Sequence, residues 1–173
     1  FTGTTEWIFL SPKAQMECNS SPVFNNWPTI YACSQLPLVF DHSATDADGD
    51  SLVYKLCTPY AGATNSTPIP QPPANPDYDF ILWNAGYSTE NPLGSTVPLS
   101  IDPMTGILTG VPNLTGQYLV GVCVEEYRDG ELLSTVRRNF EYNIRVCINN
   151  PVADFSLPEN PKCDGLTQTF ENL

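Results

Sequence analysis

Residues 39–56 read VFDHSATDADGDSLVYKL. Two β-forming runs enclose a loop that carries Asp46, Asp48 and Asp50 around Gly49. Beyond the loop the residues alternate. Leu52, Tyr54 and Leu56 fall on one side of an extended chain, and Val53, Lys55 and Cys57 on the other. The stretch therefore reads as strand, acidic turn, strand, and it sets the expectation of an all-β chain. Carboxylates this close repel one another unless water or a cation neutralises them.

A hard cation that takes six to eight oxygens, calcium above all, suits alternating aspartates in a glycine-containing turn. The spacing is not that of an EF-hand. Its glycine would stand at Ser51 and its bidentate glutamate at Cys57. Asp46 and Asp48 are the first candidate ligands, and Asp50 and Asp129 the second. The other reading of the loop is a solvated acidic turn without metal.

The composition of the 173 residues agrees with a β protein. Seventeen prolines and eleven glycines do not suit a helical fold, while 41% hydrophobic residues argue against disorder. Nineteen acidic residues against seven basic ones give a formal net charge of −12. That balance disfavours nucleic acid and anionic membranes as partners. No apolar run is long enough for a membrane helix, so no membrane insertion is expected. Six separated cysteines without a CxxC pair suggest disulfides rather than zinc, and hence an oxidising, extracellular compartment; the other reading is six free structural thiols in a cytosolic protein. The first residue is Phe1, which suggests a processed protein or a piece of a longer one.

Outward from the acidic loop, short strands are expected at 29–33 and 36–41, and a stretch ending a preceding module, or docking on its neighbour, at 1–18. Within the latter, 6–10 and 13–17 read as strands. Residues 58–97 are rich in proline, asparagine and threonine, and also hold Tyr60, Tyr78, Phe80, Trp83 and Tyr87. They read either as a flap whose aromatics cover the sandwich or as an aromatic platform on which Tyr78, Trp83 and Tyr87 bind a ligand such as a surface glycan. Turns at 102–106, 112–116 and 128–130 separate strands at 98–101, 107–111, 117–127 and 132–146. On the last of these, Arg138 shares the apolar face with Val136, Phe140 and Tyr142, so it needs a carboxylate partner or a place at the sheet edge. The complete domain is expected at 19–148. The tail, 149–173, holds a linker and two opening strands of a further module.

Chemistry for catalysis is thin, and the chain is expected not to be an enzyme. His42 is the single histidine and reads as a strand-end residue; there is no G-x-S-x-G elbow, phosphate loop or dinucleotide fingerprint. Cys57 and Cys123 lie on the more polar faces of two strands that neighbour each other in an Ig-like order. A bridge between them would close a loop of about 65 residues, worth roughly 2–4 kcal/mol. Cys18–Cys33 and Cys147–Cys163 are the remaining expected pairings, with a cysteine beyond residue 173 as the other partner open to Cys163.

The run Asp46-Ala47-Asp48-Gly49-Asp50-Ser51-Leu52-Val53-Tyr54, with Ile101-Asp102-Pro103-Met104-Thr105-Gly106-Ile107 and Gly116-Gln117-Tyr118, resembles the cadherin-like, dystroglycan-type Ig-like modules. The segment Val124-Glu125-Glu126-Tyr127-Arg128-Asp129-Gly130 with Arg137-Arg138-Asn139-Phe140 is similar to very large surface proteins of gliding-type Bacteroidota, substrates of the type IX secretion system. Pro151-Val152-Ala153-Asp154-Phe155-Ser156 resembles the start of a PKD-type module. The resemblance implies an Ig-like antiparallel β-sandwich in a cell-surface array, attached to the outer membrane or secreted. Its partners would be the neighbouring β modules of the same protein, and one calcium would stiffen a joint. The competing readings are a carbohydrate-binding or accessory module of a secreted enzyme, and a filament subunit that exchanges strands between copies.

Overall fold

A computed structural model describes residues 4–62, 66, 78–147, 155–156 and 171–172. Strands β1 (Thr4–Thr5) and β2 (Trp7–Leu10) precede a short helix, α1 (Pro12–Met16). Then follow β3 (Val23–Phe24), β4 (Tyr31–Cys33), β5 (Leu38–Asp41), β6 (Ala44–Thr45), β7 (Ser51–Leu56) and β8 (Tyr60–Ala61). The second half supplies β9 (Val97–Ile101), β10 (Ile107–Val111), β11 (Gly116–Arg128), β12 (Glu131–Arg145), β13 (Phe155–Ser156) and β14 (Glu171–Asn172). The fold is all-β in its architecture.

The larger sheet has the order β2-β12-β11-β7, with β4 added in parallel to the far end of β12. The smaller has the order β5-β10-β9 and is antiparallel. β3 pairs with β6, β1 with β8, and β13 with β14. One apolar cluster joins the two main sheets: Leu38, Leu99 and Leu108 from the smaller, Val120, Val122, Tyr142 and Ile144 from the larger, with Leu93 from the connection. The long hairpin β11–β12 is the spine, because every other strand of the larger sheet pairs with one of its arms.

Several expectations need correction. Residues 13–17 are not a strand but belong to α1 and its C-terminal cap. Ser11 caps the helix by accepting from the Ala14 N–H at 3.1 Å, and Pro12 opens it, a start signal that outweighs the β character of the flanks. The strand at 6–10 is present as β2, hydrogen-bonded to β12. β12 is not half-solvated. Its Thr135 and Asn139 are buried, and Arg137 lies under the rings of Tyr60 and Phe80, at 4.4 and 5.5 Å, and donates to the Thr58 carbonyl. The start of the 58–97 connection thus folds over that face, as the flap reading has it.

Among the described residues Arg138 forms no ion pair with a carboxylate; it sits on β12 between the stretch paired with β2 (134–137) and the stretch paired with β4 (143–145), where β11 is the one described strand that pairs with it. Arg138 is buried, donates to the Asn26 carbonyl at 2.6 Å and to His42 Nδ1 at 2.7 Å, and lies 3.9 Å from the centre of the Phe24 ring. A guanidinium has no acceptor atom, so His42 must be neutral with its proton on Nε2. His42 is fully buried between Phe40 and Phe140, more than a strand-end residue.

Among the described residues two disulfides are formed. Cys57–Cys123 ties the end of β7 to β11, as its facing on neighbouring strands implied. There the strands approach so closely that a Cβ on Gly121 would stand 2.2 Å from the Cys57 carbonyl oxygen. Cys33–Cys147 replaces the two other expected pairings: β4 lies parallel to the end of β12, and this brings Cys33 beside Cys147. Cys18 is left free and exposed, and Cys163 lies outside the described residues. Disulfides indicate an oxidising compartment. Among the described residues no helix is long and apolar enough to cross a membrane.

Candidate functional site

The acidic loop is folded by its own first carboxylate. Asp46 Oδ1 accepts from the N–H groups of Asp48 and Asp50, at 3.0 and 2.9 Å. The tight curl needs Gly49, whose φ of 81° suits a residue without a Cβ. The curl brings one carboxylate oxygen each of Asp46, Asp48 and Asp50 within 4.8 Å of one another. Asp46 Oδ2 is buried and has no hydrogen-bond partner. Asp48 Oδ2 accepts from the Ser20 N–H at 2.7 Å, which ties the loop to the chain that follows α1.

Asp50 is matched differently. Arg128, at the end of β11, grips both of its oxygens, with Nε–Oδ1 at 2.7 Å and Nη2–Oδ2 at 2.6 Å. This fork holds the Asp50 carboxyl below its ordinary range. The same guanidinium donates to Asn19 Oδ1 at 2.9 Å and to Glu17 at 3.3 Å. Asn19 in turn donates to Glu126 Oε1 at 2.6 Å, and the Ser134 hydroxyl donates to the other Glu126 oxygen. Glu126 is fully buried. Burial pushes its carboxyl up; the Ser134 and Asn19 bonds pull it back, and the neighbouring Asp50 and Asp46 raise it further.

Of the four candidate ligands, the structure brings Asp46, Asp48 and Asp50 together. Asp129 is not among them. It sits exposed at the hairpin tip with φ 54°, where its charge is felt by Lys13. The residue of that hairpin that reaches the loop is its neighbour Arg128. Asn19 lies beside the loop, as expected of the segment that enters the domain, whereas Glu126 and Arg128 were not foreseen as parts of the site. Parity along β11 carries the signal for the first: Glu126 continues the series Val120, Val122, Val124, so it is an acid on the apolar face.

For a divalent cation the donor set is Asp46 Oδ2 and the unengaged oxygen of Asp48, with Asp50 available only by sharing with Arg128. Hard anionic oxygens and an orphaned buried carboxylate atom fit calcium, with water completing the shell.

Of the three aromatics read as a ligand platform, Trp83 and Tyr87 line one groove together with Phe80 and Tyr118. Tyr78 instead packs edge-on to Tyr60, with ring centres 6.1 Å apart. Comparison with known proteins returns no match: no family model, no curated protein and no solved structure resembles the chain.

Proposed function

We propose that the chain is a non-catalytic structural and adhesive module of a secreted multi-domain cell-surface protein, an Ig-like sandwich stiffened by calcium and disulfides. The strand order supports the architecture. β5-β10-β9 and, leaving β2 aside as an added strand on β12, β4-β12-β11-β7 are the orders that an Ig-like sandwich with a B-E-D and an A′-G-F-C sheet would have. Neighbouring β modules are its natural partners, because the acidic loop is tied through Ser20, Asn19 and Glu17 to the segment that enters the sandwich. A cation at the loop would set the angle of that entry.

The observation that carries the reading is the buried, unpartnered Asp46 Oδ2 within the aspartate cluster. An anionic oxygen withdrawn from water without a partner is costly, and a bound cation removes that cost. The test is a melting curve in EDTA and in 1 mM calcium. A ligand at a hundredfold excess over its Kd stabilises by about 2.7 kcal/mol, roughly 5–10 °C in Tm for a chain of this size. Asp46→Asn with Asp48→Asn removes the shift. Superimposable curves in calcium and EDTA would overturn the reading.

A further inference from the structure

We infer that the groove beside the start of β11 binds a neutral glycan chain. The groove has a volume of about 1060 Å³. Its walls are held in place before any ligand arrives. The Ile81 N–H donates to the Pro59 carbonyl at 3.0 Å, and Phe80 stacks on Tyr60 with ring centres 4.7 Å apart. Further along, Asn91 exchanges two hydrogen bonds with the Ser95 backbone, at 3.0 and 2.9 Å, and Leu93 is locked into the main core. The connection 78–95 is therefore fixed at both ends, and the groove between is preformed.

The lining chemistry selects the ligand. Phe80, Trp83, Tyr87 and Tyr118 supply aromatic surface, and the C–H faces of pyranose rings stack on such surface. Asp79 and Asn84, also in the lining, spend no side-chain hydrogen bond on the described residues. Gln117 uses its Nε2 on Glu141 and Asn143, and its oxygen accepts no hydrogen bond among the described residues. Carboxylate and carboxamide groups beside aromatic rings match a ligand with apolar faces and a rim of hydroxyls. A purely apolar ligand would strip water from Asp79 without replacing its hydrogen bonds. An anionic ligand finds no cation among the described residues of the lining, which include no lysine, arginine or histidine, and the chain carries −12. Charge and hydrogen-bonding capacity together leave a neutral, polyhydroxylated chain.

This inference gives the adhesive half of the proposed function a ligand class and rests on that half alone. The groove meets β11 at Gln117–Leu119, and the acidic loop meets it at Glu126–Arg128, roughly 25 Å away at ~3.4 Å per residue. The two sites can therefore be tested apart.

The experiment is native affinity electrophoresis of the whole chain in gels containing galactomannan, xyloglucan or a mixed-linkage β-glucan, with polygalacturonate as the acidic control. At least one neutral polysaccharide is expected to retard the protein, and polygalacturonate is not. Trp83→Ala should weaken the retardation at least tenfold. Asn84→Ala, at an exposed position that does not threaten the fold, should weaken it several-fold. Asp46→Asn with Asp48→Asn should leave it unchanged, so a failed calcium test would not remove the glycan result, or the reverse. Absence of retardation by all three neutral polymers overturns the inference. So does retardation by polygalacturonate alone, or undiminished retardation of Asn84→Ala together with Trp83→Ala.

Discussion

Two buried titratable residues, His42 and Glu126, give the protein opposing responses to pH. Burial holds His42 at a pKa of about 3, and Arg138 beside it pushes in the same direction while Asp41 opposes. Unfolded, the imidazole titrates near 6.5. The unfolded chain thus binds the extra proton first, and the stability contribution of a neutral His42 is lost as pH falls from about 6.5 toward 3, at up to about 1.4 kcal/mol per pH unit. His42→Gln keeps an acceptor for Arg138 and removes the titration. Urea unfolding at pH 7, 5 and 4 should show a shallower acid decline for the variant, whatever the packing loss at pH 7; equal slopes would reject the assignment. Glu126 has the opposite sign. Its folded pKa lies above its unfolded value of 4.5, so its contribution is complete below 4.5 and is lost as pH rises through the folded value. Glu126→Gln should gain on the parent protein as pH rises above about 4.5 in EDTA, measured by the same urea curves. Both Glu126 and Arg138 could be located by strand parity, since each falls on an apolar face. Their partners could not. A fold that sets Phe24 and Asn26 beside Arg138, and Asn19 beside Glu126, depends on contacts more than a hundred residues apart in the chain.

Legibility improves among the elements, and it tracks how local the governing physics is. Turns with their own chemistry, such as Asp102 accepting from the Met104 and Thr105 N–H groups, mark strand ends directly, so β9, β10, β11 and β12 were expected within a residue or two. α1 was missed because five residues carry no helical period, and the only cue was Ser11-Pro12. β4 as a parallel neighbour of β12 was missed for a different reason: parallel pairing leaves no turn in the sequence. It also decides the disulfides, for Cys33 and Cys147 meet only in that register. The Cys33–Cys147 bridge staples a three-residue strand across a separation of 114 residues. Cys33→Ser with Cys147→Ser is expected to cost roughly 2–4 kcal/mol, read in guanidinium unfolding. Amide exchange should accelerate at Tyr31, Ala32 and Cys33 and stay slow in the central residues of β11. Under mild reduction this bridge should open before Cys57–Cys123, because Cys147 is exposed whereas Cys57 and Cys123 are buried; alkylation and mass spectrometry would show the order.

At the scale of the whole molecule the governing quantity is charge. A total of −12 spread evenly would be a mild, general burden on the folded state, but here a large share of it is concentrated. Glu17, Asp46, Asp48, Asp50 and Glu126 converge on one pole, where among the described residues Arg128 is the cation hydrogen-bonded into the network that binds them. Repulsion within the pole acts over distances shorter than about 10 Å, so 10 mM salt, with a Debye length of about 30 Å, leaves it intact, and 300 mM salt weakens its exposed part. In EDTA, the Tm of the protein should therefore rise on going from 10 to 300 mM sodium chloride. Asp46→Asn with Asp48→Asn should rise less, because two of the repelling charges are already gone. Saturating calcium should shrink the salt response of the parent protein in the same way, since the cation neutralises the same oxygens. Equal salt responses in parent and variant would mean that the repulsion is distributed over the surface and that the acidic pole is not where the fold is strained.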